Sequence, residues 1–484
     1  MSPISAEINL NMLMPEIILL AAAFLLLLAA PLTRQRAISI SLSLLSVLAA
    51  FYFALIQWNH PQIGYFEMVV ADNYTLFCKV IFLLTCGSAM LISRDYLALR
   101  GRERPEYYAL MLISTVGMMI MVSSPNLMVI FLGLEIMSLP LYVLAGYVRD
   151  SLRSNEAAVK YFFMGAFASA FFLFGIAFVF GGAGTTDVTR IFLSTGIGLY
   201  RNEIYLLLGG ALVLTGFAFK IAAFPFHMWV PDVYQGAPTP VTAFFSIGPK
   251  AAGLATLARI YMVGFSGSMD LYGPVFAFLA LFTMTLGNIL AIRQSDVKRM
   301  LAYSSIAHAG YLMVALAAGG NNGVSSALFY LLAYAFFNMG AFVMITMVEG
   351  KNGTNHIDTY RGLASRHPWL AVFLALFMFS LAGFPPTAGF MGKFYLFSAA
   401  VESGLTWLVI AAVLNSLVSV FYYLRPLKAA FFDAPEADEA GLSRITLKPL
   451  VLIALAIMAV GALGLGIFPS YFLKLAAAST LMII

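Results

Sequence analysis

The run from Leu206 to Pro231, LLLGGALVLTGFAFKIAAFPFHMWVP, decides how the whole chain is read. Its apolar residues continue long enough to cross a hydrocarbon core of roughly 30 Å, for which about 20 residues suffice. One ionisable side chain, Lys220, stands inside the run, and Pro225 follows it by five residues. A charge at that depth costs at least about 2.5 kcal/mol, so it tends to persist where function requires it. Proline removes a backbone N–H, and a bilayer tolerates the freed carbonyl only against protein or a water-filled cavity. The stretch reads as a membrane helix that carries a charge and is broken near its end.

Similar runs recur along the chain. Of 484 residues, 62% are hydrophobic, 14% aromatic and 10% charged, far from the roughly 25% charged of soluble domains. Windows of about 19 residues predict fourteen spans: 13–32, 38–57, 73–93, 107–123, 126–147, 158–182, 204–226, 239–263, 271–292, 298–318, 323–348, 369–394, 404–424 and 449–470. The joints are short and rich in Gly, Pro, Asn and charge, with none long enough to part soluble domains. The predicted fold class is an all-α polytopic membrane protein. Met1 to Leu13 lacks Lys and Arg and carries Glu7, which argues against a cleavable signal peptide. Cys78 and Cys86 share one apolar run and read as packing residues, neither disulfide nor metal pair.

Basic residues test the span count. Arg34, Arg36, Arg94, Arg100, Arg102, Arg104, Arg149, Arg153 and Lys160 fall in loops of one side. So do Arg293, Lys298, Arg299, Lys351, Arg361, Arg366, Arg425, Lys428, Arg444 and Lys448. The other side holds Arg190, Arg201 and Lys474. This bias places both termini outside. Lys79 and Arg259 lie near span ends, where a long side chain is expected to snorkel to water.

Three lysines have no such escape: Lys220, Lys250 in FFSIGPKAAG and Lys393 in GFMGKFYLF. Glu135, in IFLGLEIMSLP, joins them in mid-span. A helix break is expected beside each lysine, at Pro225, at Pro249 and at Pro385-Pro386. Ionisable groups beside broken helices are the arrangement of ion-transporting folds. Burial favours a neutral amine and a nearby carboxylate restores its charge, so moving the carboxylate loads and unloads a proton. His308 lies inside a span and is a candidate relay between the two halves. His227, just past the break, is a second candidate, as relay or cap. Sliding the chain along itself until Gly216-Phe217 meets Gly389-Phe390 lays Lys220 on Lys393 and Glu135 on His308. The intervening odd number of spans would invert the two copies. No HExxH, CxxC or Gly-rich nucleotide fingerprint is present. No ligand set for metal, flavin, haem or iron–sulfur cluster is read.

The runs PFHMWVPDVYQGAPTPVTAFFS (Pro225 to Ser246) and LGLEIMSLPLYVLAGY (Leu132 to Tyr147) closely resemble signatures of the antiporter-like subunit N family of respiratory complex I, the NADH–quinone oxidoreductase. SNEAAVKYFFMGAFASA (Ser154 to Ala170), KRMLAYSSIAHAGYLMVAL (Lys298 to Leu316) and SLAGFPPTAGFMGKFYLF (Ser380 to Phe397) do so as well. The resemblance covers roughly 73–428. It implies fourteen helices with two inverted five-helix repeats and broken helices at spans 7 and 12. The units expected are a three-helix segment (1–106), a first repeat (107–263), a second repeat (271–424) and a cytoplasmic loop with a final helix (425–484). By motif, Glu135 and Lys220 become a modulating pair, Lys250 a central relay and Lys393 the terminal proton donor, with His308 on the central hydrophilic axis. The activity implied is proton translocation driven by quinone reduction elsewhere in the complex. NADH, flavin, iron–sulfur clusters and quinone belong to other subunits, with no cofactor or metal in this chain. The partners implied are the other membrane subunits and the lipid bilayer, with no nucleic acid. The membrane expected is the bacterial inner membrane, the mitochondrial inner membrane being the alternative. Two other readings stay open: a subunit of a multisubunit cation/proton antiporter, against which VPDVYQGAPTP speaks, and a membrane scaffold.

Overall fold

The computed structural model describes residues 9–30, 36–196, 203–349, 353–434 and 448–480. Of the residues weighed above, Glu7, Arg34, Arg201, Lys351 and Arg444 lie outside them. Thirteen helices among the described residues are long and apolar enough to cross a membrane.

The chain opens with α1 (Met14–Ala29) and α2 (Arg36–Ile56), joined to the rest by a hairpin of β1 (Gln62–Gly64) and β2 (Val69–Ala71). Next come α3 (Asn73–Leu99), α4 (Pro105–Ser123), α5 (Leu127–Ala145), α6 (Leu152–Ala183) and the short α7 (Val188–Gly196). Side chains of Asp72, Asn126 and Ser151 cap α3, α5 and α6 by accepting from first-turn N–H groups, which would otherwise lack partners. α8 (Glu203–Ile221) stops one residue after Lys220, and α9 (Val230–Gly236) resumes beyond the break. α10 (Thr239–Arg259), α11 (Met269–Ile292), α12 (Val297–Ala318) and α13 (Gly320–Glu349) follow. After α14 (Leu363–Arg366), the span expected at 369–394 arrives as two 15-residue helices, α15 (Pro368–Ala382) and α16 (Ala388–Glu402). α17 (Thr406–Phe431), α18 (Pro449–Ile467) and α19 (Pro469–Ala477) complete the order. Of the fourteen spans expected, thirteen have a long apolar helix among the described residues, and the region of the other holds the shorter α15 and α16.

Helix burial is graded. All residues of α10 are buried, and most of α12 and α13 are too. α6 and α17 lie at the rim and expose Phe163, Phe167, Phe174, Leu417 and Phe421. Such apolar faces suit contact with lipid tails. Lys250 therefore stands on the most enclosed helix.

Three expectations need correction. Pro249 does not break its helix: α10 runs through it. The carbonyl its ring leaves without an N–H is that of Phe245, and the Tyr234 hydroxyl donates to that oxygen at 3.3 Å. Lys79 does not snorkel; it is fully buried and pairs with Glu16 of α1 at 2.7 Å. Arg259 likewise pairs with Asp72 at 2.9 Å and donates to Thr75. Both find carboxylates inside the bundle, so neither needs to reach water.

Two local features recur at one common offset, which differs from the offset that lays Lys220 on Lys393. Asn126 bridges Asp187 in an isolated antiparallel pair, and Asp296 bridges His356 in the same way. Asn126 therefore answers to Asp296. Gly117 meets the backbone of Met137 where a Cβ would have no room, and Gly287 meets Ala307 in the same fashion. Gly117 answers to Gly287, in step with Asn126 and Asp296. In this register Glu135 falls on Ser305, and His308 on Ser138. Lys220 ends the helix before its break, whereas Lys393 follows its break on α16. The first bridge sits at the start of α5, beside the Arg190–Glu67 pair. The second sits with Arg299, Asp232 and Lys160, near where α5 ends and α6 begins.

Candidate functional site

Lys220, Lys250 and Lys393 form three buried stations, each lysine bonded to uncharged groups. At the first, Lys220 closes α8 and donates to Ser138 Oγ at 2.7 Å and Tyr142 Oη at 3.2 Å, both on α5. Glu135 sits one turn before Ser138 on that face and accepts from Ser169 of α6. The expected Glu135–Lys220 pair is thus not a direct contact: among the described residues no ion pair joins them, and each has a serine partner of its own, Ser169 for Glu135 and Ser138 for Lys220. The Ser138 hydroxyl accepts from Lys220 and donates to the Leu134 carbonyl, so it must rotate before it can pass a proton on.

The second station is the bundle centre. Lys250 donates to Ser305 Oγ at 2.6 Å and to the Ser305 carbonyl at 2.8 Å. One turn along α12, His308 is held at both ring nitrogens: Nδ1 meets Tyr330 Oη at 2.6 Å and Nε2 meets Tyr423 Oη at 3.1 Å. The Tyr423 hydroxyl also contacts Ser304 Oγ at 2.5 Å. An imidazole between two hydroxyls can take a proton on one nitrogen and release one from the other.

The third station is the second break. Lys393 donates to the carbonyls of Leu381 at 3.2 Å and Ala382 at 2.8 Å, and to Ser416 Oγ of α17 at 2.8 Å. Three acceptors match the three N–H groups of an ammonium. Two of them are last-turn carbonyls of α15, which a continuous helix would have used internally and which carry the negative end of its dipole. Lys393 also lies 5.1 Å over the ring of Tyr311, one turn past His308 on α12. His227, by contrast, is buried in the first break with Nδ1 unpartnered among the described residues, and it meets none of the three lysines.

Reasoning from charge alone missed the hydroxyls: Ser138, Ser305, Tyr330, Tyr423 and Ser416. One signal was present. Ser304, Ser305, His308 and Tyr311 recur at helical spacing in an apolar span, which draws a polar stripe down one face. Among the described residues, no group of three or more His, Cys, Asp or Glu is placed to hold a metal ion.

Known proteins share this architecture. The family described as NADH:quinone oxidoreductase/Mrp antiporter, TM, matches residues 124–419, a stretch that includes Glu135, His308 and the three lysines. The NADH-quinone oxidoreductase subunit N of Trichlorobacter lovleyi is 49% identical over 475 residues, covering 97% of this chain and 96% of that one. A chain of respiratory complex I from Thermus thermophilus matches with a TM-score of 0.82 at 32% identity, over 96% of this chain and 100% of that one. A chain of the Mrp complex from Dietzia sp. DQ12-45-1b shares the fold, with a TM-score of 0.85 at 22% identity over 97% and 96% of the two chains. This chain belongs to the NADH:quinone oxidoreductase/Mrp antiporter family of membrane subunits, on its subunit N branch.

Proposed function

We propose that this chain is the antiporter-like, proton-translocating subunit of an NADH–quinone oxidoreductase, and that Glu135, Lys220, Lys250, His308 and Lys393 are its relay. One observation carries the reading: the three lysines, buried in an apolar bundle, are each hydrogen-bonded to a group that can accept a proton or a charge. Glu135 biases Lys220 by its charge, Lys250 loads the centre, His308 shuttles between Tyr330 and Tyr423, and Lys393 releases outward. The redox chemistry and its cofactors belong to partner subunits of the same complex, and the membrane is a bacterial inner membrane. Spans 4–8 and 9–13 act as inverted repeats, residues 107–263 and 271–424, with α15 and α16 counted as one broken span. The two bridges at opposite ends of the bundle support this inversion. The Lys- and Arg-rich end faces the cytoplasm, and both termini face outward.

The test is Lys220→Ala in the assembled complex, with protons moved per electron as the readout. Lost pumping with assembly intact is expected, because Glu135 then has no cation to bias. Normal pumping would show that Lys220 only packs the helices.

A further inference from the structure

We infer that Glu349 is a proton-accepting group of the same relay, feeding Lys250 from the Lys- and Arg-rich end along the seam between α10 and α13. The inference rests on the relay proposed above. Glu349 ends α13 and is buried, with 6% of its surface exposed. Polar groups from several parts of the chain surround it. Arg100, the residue just after α3, pairs with it at 3.2 Å, Tyr96 of α3 donates to it at 3.2 Å, and Thr239 at the start of α10 donates to its second oxygen. Lys298 of α12 and Tyr360 lie within reach of its charge. Lys298 is held by the Ala237 carbonyl at 2.5 Å. Burial, with the charges of Asp296 and Glu349 beside it, keeps the Tyr360 phenol protonated well above its usual range.

A simple clamp on helix ends would stop there, but the polar stripe does not. Thr239, Ser246 and Lys250 are seven and four residues apart on α10, two turns and one, so they share a face. Glu349 and Asn338 are eleven apart on α13, three turns, and share another. The two faces meet: Asn338 Nδ2 donates to Ser246 Oγ at 2.7 Å. Midway along the seam, Asn338 is fully buried and its Oδ1 has no partner among the described residues; Tyr360 Oη at the entrance is in the same condition. Buried polar oxygens are nearly always satisfied, by water where protein offers nothing. The seam thus runs from a carboxylate near the aqueous end toward Lys250 past two buried oxygens that water would satisfy. The step balances simply. The Glu349 carboxylate takes a proton from the aqueous side, and the resulting acid passes it through water and the Ser246 hydroxyl to the neutral Lys250 amine. Carboxylate and ammonium result.

The experiment uses the complete complex in inside-out vesicles and reads proton uptake per electron for E349Q, E349D and N338L beside K250A. E349Q is expected to lose uptake at least about tenfold, the scale of a positioned proton-transfer group. E349D, which weakens the reach to Arg100 but keeps a titratable carboxylate, is expected to retain most uptake. N338L, which fills the seam with an apolar side chain, is expected to lose it. If E349Q pumps normally while K250A is dead, the entry role is wrong and the relay stands. If K250A also pumps normally, the relay itself fails. Equal loss in E349Q and E349D with N338L normal would show an ion-pair clamp instead. Should E349Q not assemble, E349D and N338L decide between the same outcomes.

Discussion

An ammonium in an apolar bundle must be surrounded by acceptors, and Lys393 shows how few suffice. Its three partners are two carbonyls and one hydroxyl, with no carboxylate among them. Such a site can hold charge without locking it, because no opposite charge must be moved for the proton to leave. Arginine would keep the cation and still find carbonyls to bond, but a guanidinium stays protonated throughout the working range. Lys393→Arg is therefore expected to impair pumping nearly as much as Lys393→Ala, by about tenfold or more, with the complex assembled. Proton-to-electron ratios in vesicles measure it. Wild-type pumping in the arginine variant would remove Lys393 from the relay.

At the scale of elements, the two broken helices set the site. α8 ends at Ile221 and turns through Ala222 with φ at +63°, while α15 ends at Ala382 and turns through Gly383 with φ at +91°. Both residues occupy the left-handed region, which costs an L-residue roughly 1–2 kcal/mol. Gly383 avoids that cost, and it has a second reason to be glycine. A Cβ there would stand 3.1 Å from Lys393 Cδ and 3.2 Å from its Nζ. Gly383→Ala is expected to lower thermal stability and to displace the Lys393 ammonium, so heat inactivation and pumping fall together. Ala222→Gly removes strain at the other break and should change stability by less than about 1 kcal/mol. Equal behaviour of the two variants in a thermal inactivation series would contradict this account. Pro249 gives the opposite lesson: a proline inside α10 leaves the helix whole because Tyr234 supplies the missing donor.

At the scale of the molecule, buried ion pairs fasten the N-terminal helices to the bundle. Glu16–Lys79 ties α1 to α3, and Arg259–Asp72 ties α10 to the cap of α3. Removing one partner of a buried pair leaves a stranded charge and costs about 3–5 kcal/mol, whereas replacing both by apolar residues is often nearly neutral. Glu16→Ala is expected to cut the yield and thermal stability of the complex, and Glu16→Leu with Lys79→Met to restore both. A double variant as poor as the single would mean that the pair does more than fasten helices.

Length and apolarity made the class and most of the spans legible in sequence, because crossing a hydrocarbon core is a local, one-dimensional requirement that each segment meets alone. The buried lysines were equally plain, since a charge in an apolar run needs no partner to be noticed, and the motifs around Glu135, Pro225 and Lys393 carried the family resemblance. Tertiary structure decided the partners. Ser138 reaches Lys220 across 82 residues and Ser305 reaches Lys250 across 55, pairings that depend on which helix faces pack together. The same dependence hid the Lys79–Glu16 pair, the rescue of Pro249 and the Asn338–Ser246 contact. Each is settled by contacts between helices far apart in the chain, where spacing along a single segment carries no information.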